Sequence, residues 1–207
     1  MKPERFPCKC NRSRVSGLGQ ILHPPDPRVV ELLRVVAEAI GIATPRIYAD
    51  PTVDYAQVDE RDHIYYKPAF FEALFLLDPS GLLVLAVLAH EIGHIYNEHL
   101  SKPWEDPWEQ ELEADRFAGC VLSSLCEESG AFQRIIRVLS RSSTSRHPPG
   151  EERSRAIQEG WESCARVCND SEKASPGSSS FLETAGKVAG GVVIGIGIVA
   201  LLDAIFG

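Results

Sequence analysis

The sequence predicts a mainly helical α+β protein with a small sheet and a C-terminal hydrophobic tail helix, and three observations carry that expectation. The apolar run Leu82 to Ala89 leads directly into His90-Glu91-Ile92-Gly93-His94 and reads as a buried helix. Residues 46–50, 53–58 and 63–66 are short runs rich in β-branched and aromatic side chains, broken by Pro51 and by Asp59-Glu60-Arg61-Asp62, and read as strands. From Val188 to Phe206 the chain is almost wholly apolar.

The elements follow in order. Residues 1–25 form an irregular arm broken by Gly17, Gly19 and Pro24-Pro25. Asp26-Pro27 supplies an N-cap and a proline at the first helical position. Val29, Leu32, Leu33, Val36, Ala37 and Ile40 then carry an amphipathic helix to Gly41. Pro68 starts a short helix that ends before Asp78-Pro79, and Ser80 is placed to cap the next, expected to run to about Leu100. Pro103 and Pro107 stop that helix and turn the chain, so that a helix from about Trp108 can return antiparallel. Two further helices are expected at 131–141 and 150–166.

With 207 residues the chain suits one domain plus appendages: the arm, a domain over 26–168, a flexible linker over 169–185 and a glycine-rich tail over 186–207. A net charge of −8 and the lack of a basic stripe argue against nucleic acid as a partner. The tail is long enough to cross a bilayer. Gly186 and Gly190, like Gly191 and Gly195, stand four apart as in close-packed membrane helices, and Lys187 marks the cytoplasmic edge. This predicts a single-pass membrane anchor with the preceding domain in the cytoplasm. A segment docked on the domain and a disordered tail are the other readings, because Asp203 is costly within lipid. The six cysteines do not form paired zinc knuckles, and no secretory signal opens the chain, so all are expected as reduced thiols. Cys8 and Cys10 read as surface cysteines on a flexible arm.

The chemistry concentrates at residues 90–115. His90 and His94, four apart on a helix, project from one face and can converge on a single ion. Glu91 is offset by one position, beside the metal rather than on it, where a base must sit to take a proton from activated water. Glu111 opens the returning helix and is the third ligand. Two histidines and a glutamate with a position left open describe a catalytic zinc site, one Zn2+ per chain. His99 comes five residues after His94, on another helical face, and is not counted as a ligand.

These residues resemble a known family. His90-Glu91-Ile92-Gly93-His94-Ile95-Tyr96-Asn97-Glu98-His99 and Glu111-Leu112-Glu113-Ala114-Asp115-Arg116-Phe117-Ala118 are similar to the motifs of the HtpX-like and CAAX-prenyl-protease zinc metallopeptidases, a branch of the gluzincins. Ser145-Arg146-His147-Pro148-Pro149 with Glu152-Arg153 resembles the family's downstream motif, and Ala43-Thr44-Pro45-Arg46-Ile47-Tyr48 its upstream strand. The likeness covers about Asp26 to Trp161, whereas Asp54-Tyr55-Ala56-Gln57 only half matches the family's cleft-edge strand.

The resemblance implies a gluzincin-type domain with a sheet edging its cleft, cutting a protein or peptide substrate as a zinc metalloendopeptidase. His90, His94 and Glu111 would hold zinc, with Glu91 as general base. Asp115 would accept a hydrogen bond from a ligand histidine and fix its tautomer. His147 and Arg153 would stabilise or orient the oxyanion of the intermediate, although residues 147–152 also suit an ordinary helix start. An extended substrate would pair with the edge at 53–58. The competing class is a catalytically silent, membrane-tethered zinc-binding interaction module. Against it, the sequence keeps the base, the ligands and the oxyanion donors.

Overall fold

The structure, a computed structural model, describes residues 22–101, 106–125, 135–136 and 148–171. They form an α+β arrangement of five helices and one three-stranded sheet: α1 (Pro27–Ala39), β1 (Ile47–Ala49), β2 (Ala56–Val58), β3 (Ile64–Tyr66), α2 (Pro68–Leu77), α3 (Leu82–Tyr96), α4 (Pro107–Ser124) and α5 (Gly150–Ser171). Of the helix expected at 131–141, the described residues 135–136 are helical and Ile135 is buried. No helix among the described residues is long and apolar enough to cross a membrane. The tail at 186–207 lies outside them, as does the arm up to residue 21.

Asp26 caps α1 by accepting the Arg28 backbone N–H at 2.8 Å, and Pro27 at the helix start has no N–H to leave unsatisfied. The buried positions Val29, Leu32, Leu33, Val36 and Ala37 are those the 3.6-residue period selects. The strands are shorter than the β-rich runs suggest. Asp50 turns its carboxylate onto the Thr52 N–H and hydroxyl, at 2.8 and 2.6 Å, and Pro51 cannot donate to a ladder, so residues 51–55 are turns and bends. The strand order is β1-β3-β2, with β1 parallel and β2 antiparallel to β3. His23, in the arm expected to be irregular, adds an antiparallel bridge to Ala49 on the outer edge of β1. No strand among the described residues pairs with the outer edge of β2.

α3 is buried on all sides along its first three turns, as a helix through the middle of a core must be. The sheet, α1, α2 and α4 contribute to one apolar cluster with it. Both of its ends differ from expectation. Gly81, at φ 81°, is the N-cap in place of Ser80, because the chain enters the helix through a left-handed turn that favours glycine. Ser80 and Asp78 assist from outside, Asp78 accepting the Leu83 N–H at 3.3 Å. At the other end the helix stops at Tyr96, short of Leu100, because Glu98 takes a left-handed φ of 57°.

Two further corrections concern α5. It runs to Ser171, past the expected end near Arg166 and into the stretch assigned to the linker. It is also joined to α4 by a disulfide, Cys120–Cys164, so these two cysteines are not the free thiols inferred from the absence of a signal peptide. The disulfide lies where the helices touch most closely. A Cβ on Gly119 would stand 2.0 Å from the Ile157 carbonyl oxygen, and one on Gly160 would stand 1.9 Å from that of Arg116. Only glycine permits that crossing.

Candidate metal centre

The site is built between α3 and α4. His90 and His94 lie one turn apart on α3, where the apolar run ends. α4 packs antiparallel-wise against this turn through Gly93, whose absent side chain admits Ala114: a Cβ there would meet the Ala114 Cα at 3.0 Å. That close approach brings Glu111 to both histidines. His90 Nε2 stands 3.1 Å from His94 Nε2 and 3.4 Å from Glu111 Oε2, and His94 Nε2 stands 3.7 Å from Glu111 Oε1. Three donor atoms bound tetrahedrally to one ion at 2.0–2.1 Å lie about 3.4 Å from one another. These side chains therefore form a group that can hold a metal ion, the one such group of three or more among the described residues.

Asp115, 1 % exposed, accepts from His90 Nδ1 at 2.9 Å. A carboxylate cannot donate, so Nδ1 carries a proton, and once the ring is neutral it is the Nε2 lone pair that faces the centre. Burial opposes the charged form of His90, but Asp115 and Glu111 outweigh it and raise the ring to about 10 in the metal-free protein. Burial and the neighbouring His90 lower His94 to about 3. A cation is thus favoured among these groups, and the metal-free protein meets that need with a proton on His90.

Glu91 is 7 % exposed, on α3 beside His90. Burial first, and the Glu111 charge in addition, push its carboxyl up to about 7, against the pull of His90 and Arg153.

Arg153 was expected to face the reaction centre. Its Nε and Nη2 instead donate to Asp115 Oδ2 and Oδ1, each at 2.8 Å, in a buried two-pronged pair. Burial works against the Asp115 charge, yet Arg153 and His90 hold that carboxyl below the ordinary range. Arg153 therefore reaches the metal group through Asp115 and His90. His147 lies outside the described residues.

His99, not counted as a ligand from its sequence position, also stands outside the group that can hold a metal, but its contact with His94 was not foreseen. Its ring is buried, 3 % exposed, with Nδ1 2.8 Å from His94 Nδ1 and Nε2 3.2 Å from Glu113 Oε2. Helical phase puts residue 99 on another face, but the chain is no longer helical there. The left-handed Glu98 folds it back, so that the His99 N–H donates to the His94 carbonyl at 3.0 Å. The available signal was a polar Asn97-Glu98 pair after the last apolar turn, a composition that suits a helix end.

Comparison with known proteins adds no relative: no family model matches this chain, nor does any curated protein or solved structure.

Proposed function

We propose that this chain is a zinc-dependent metalloendopeptidase, with one Zn2+ held by His90, His94 and Glu111 and with a gluzincin-type arrangement of ligands and base. The observation that carries the reading is the convergence of donor atoms, with His90 Nε2 3.1 Å from His94 Nε2 and 3.4 Å from one Glu111 oxygen, His94 Nε2 3.7 Å from the other, and the buried Glu91 following His90 on α3. Two nitrogens and a carboxylate oxygen suit zinc, and three protein ligands leave a position open for reaction. Zinc bound there supplies the positive charge that acidifies water and polarises a peptide carbonyl.

The chain's own residues do the rest. Glu91 takes the proton from water as its oxygen bonds to the carbonyl carbon, then gives that proton to the amine nitrogen as the C–N bond breaks. Asp115, clamped by Arg153, keeps His90 presenting Nε2. Arg153 is thus assigned to positioning, and the oxyanion role falls to His147. Among the described residues no strand pairs with the outer edge of β2, and an extended peptide would add there as a further strand, a contact that recognises backbone and tolerates varied sequence. The tail at 186–207 would tether the domain to a membrane. Alkylation of the purified full chain decides the side. A persistent Cys120–Cys164 bond places the domain in an oxidising compartment, and free thiols place it in the cytoplasm.

The test is zinc content and casein cleavage of the full chain, with and without chelator, for wild type and Glu91→Gln. The wild type is expected to hold one equivalent of zinc and to cut. Glu91→Gln should keep the zinc and lose about 10²–10⁴-fold in turnover. A chain without stoichiometric metal, or a Glu91→Gln variant as active as wild type, sinks the reading. Zinc binding without cleavage in the wild type would leave the silent binding module.

A further inference from the structure

We propose that His99 and Glu113 are positioning residues: a relay Glu113–His99–His94 that directs the His94 proton to Nδ1 and so reserves its Nε2 for the metal. The inference rests on the metal-site reading above and assigns roles to two residues outside the ligand set.

The argument is one of donors and acceptors. Glu113 is a carboxylate and accepts only, so the 3.2 Å contact with His99 Nε2 places the His99 proton on that nitrogen. A neutral ring protonated at Nε2 has a bare Nδ1. The 2.8 Å contact between the two Nδ1 atoms is then a hydrogen bond that His94 donates and His99 accepts. His94 is left with its lone pair on Nε2, the atom 3.1 Å from His90 Nε2 and 3.7 Å from Glu111 Oε1. Were His99 protonated on Nδ1 instead, His94 would carry its proton on Nε2, among the donor atoms, and could not ligate through it. Glu113 selects between these states.

The fold secures each link. The turn at Glu98 and the 3.0 Å bond from the His99 N–H to the His94 carbonyl set the His99 ring under His94. Gln110, at the start of α4, donates to the His99 carbonyl at 3.3 Å. Glu113 lies two residues past Glu111 on the same helix, so one element carries both the third ligand and the end of the relay.

The experiment measures zinc affinity of the full chain by chelator competition, alongside ¹⁵N–¹H spectra of its histidine rings with and without zinc. His99→Phe fills the space without an acceptor and is expected to weaken zinc binding about 10–100-fold. His99→Asn places a carbonyl oxygen near the lost Nδ1 and is expected to restore most of the affinity; Glu113→Ala should weaken it by less than His99→Phe. In the wild-type spectra the His94 proton should appear on Nδ1 and that of His99 on Nε2. Unchanged affinity in His99→Phe, equal losses in His99→Phe and His99→Asn, or a His99 proton on Nδ1 would overturn the relay. Should His99→Phe fail to fold, the wild-type spectra decide. A wild type that binds no zinc defeats the metallopeptidase reading, while its metal-free spectra still test the relay.

Discussion

Around α1, the sheet and α2, the interior consists of Val29, Leu33, Ile64, Phe71, Leu74 and their neighbours, all in one apolar cluster. Between α3, α4 and α5 the interior is polar at its most important points: Asp115 with Arg153 and His90, His99 with His94 and Glu113, and glycines where backbones meet. The first region draws stability from area removed from water, which has no direction and depends little on any single partner. The second depends on pairing. Each buried polar group there stays favourable only while its counterpart is in place. The chemistry sits in the second region because convergent lone pairs need oriented donors and acceptors, which apolar packing cannot supply.

Substitutions can break or sharpen this contrast. The largest stability loss is expected from Asp115→Asn, which leaves Arg153 buried without its counter-charge. About 3–5 kcal/mol should be lost in denaturant unfolding of the metal-free protein, together with about 10–100-fold in zinc affinity. Leu33→Ala in α1, fully buried, should cost about 2–5 kcal/mol through its cavity but leave zinc affinity within error. If Leu33→Ala weakens zinc binding as much as Asp115→Asn does, the two regions are not distinct.

Smaller effects follow. Gly160→Ala forces the α4–α5 crossing apart and should cost about 1–3 kcal/mol or more in stability. It should also weaken zinc binding, because the Arg153–Asp115 pair spans that crossing; unchanged zinc affinity would show that the pair adapts. Asp26→Ala removes a cap and should lower stability by about 1 kcal/mol at neutral pH. The hydrogen bonds from Arg28 hold the Asp26 carboxyl below its ordinary value. Its ionic contribution is therefore present above the unfolded value of about 3.9 and lost as pH falls through the folded one. The gap in melting temperature between wild type and Asp26→Ala should narrow below about pH 4. The smallest change is expected from Glu98→Gly, which relieves the left-handed turn and should gain up to about 1 kcal/mol with zinc binding retained. A loss of zinc affinity there would show that the Glu98 side chain, and not the backbone turn, returns His99 to the site.

What the sequence alone determined was whatever depends on neighbours along the chain. The Asp26-Pro27 start of α1, the buried apolar run of α3, the common face of His90 and His94 and a helix under way by Trp108 all follow from local periodicity and capping. Glu111 was legible as well, because a helix forced to turn back must pass the one it left. Tertiary structure alone decided the order β1-β3-β2, the pairing of Cys120 with Cys164, the engagement of Arg153 with Asp115 and the return of His99. Each joins residues by geometry that no residue's local preference encodes: a strand's neighbour, a helix crossing permitted by two glycines, or one backbone angle past the last helical turn. Periodicity reports which face a side chain occupies, but only the packed chain sets what that face meets.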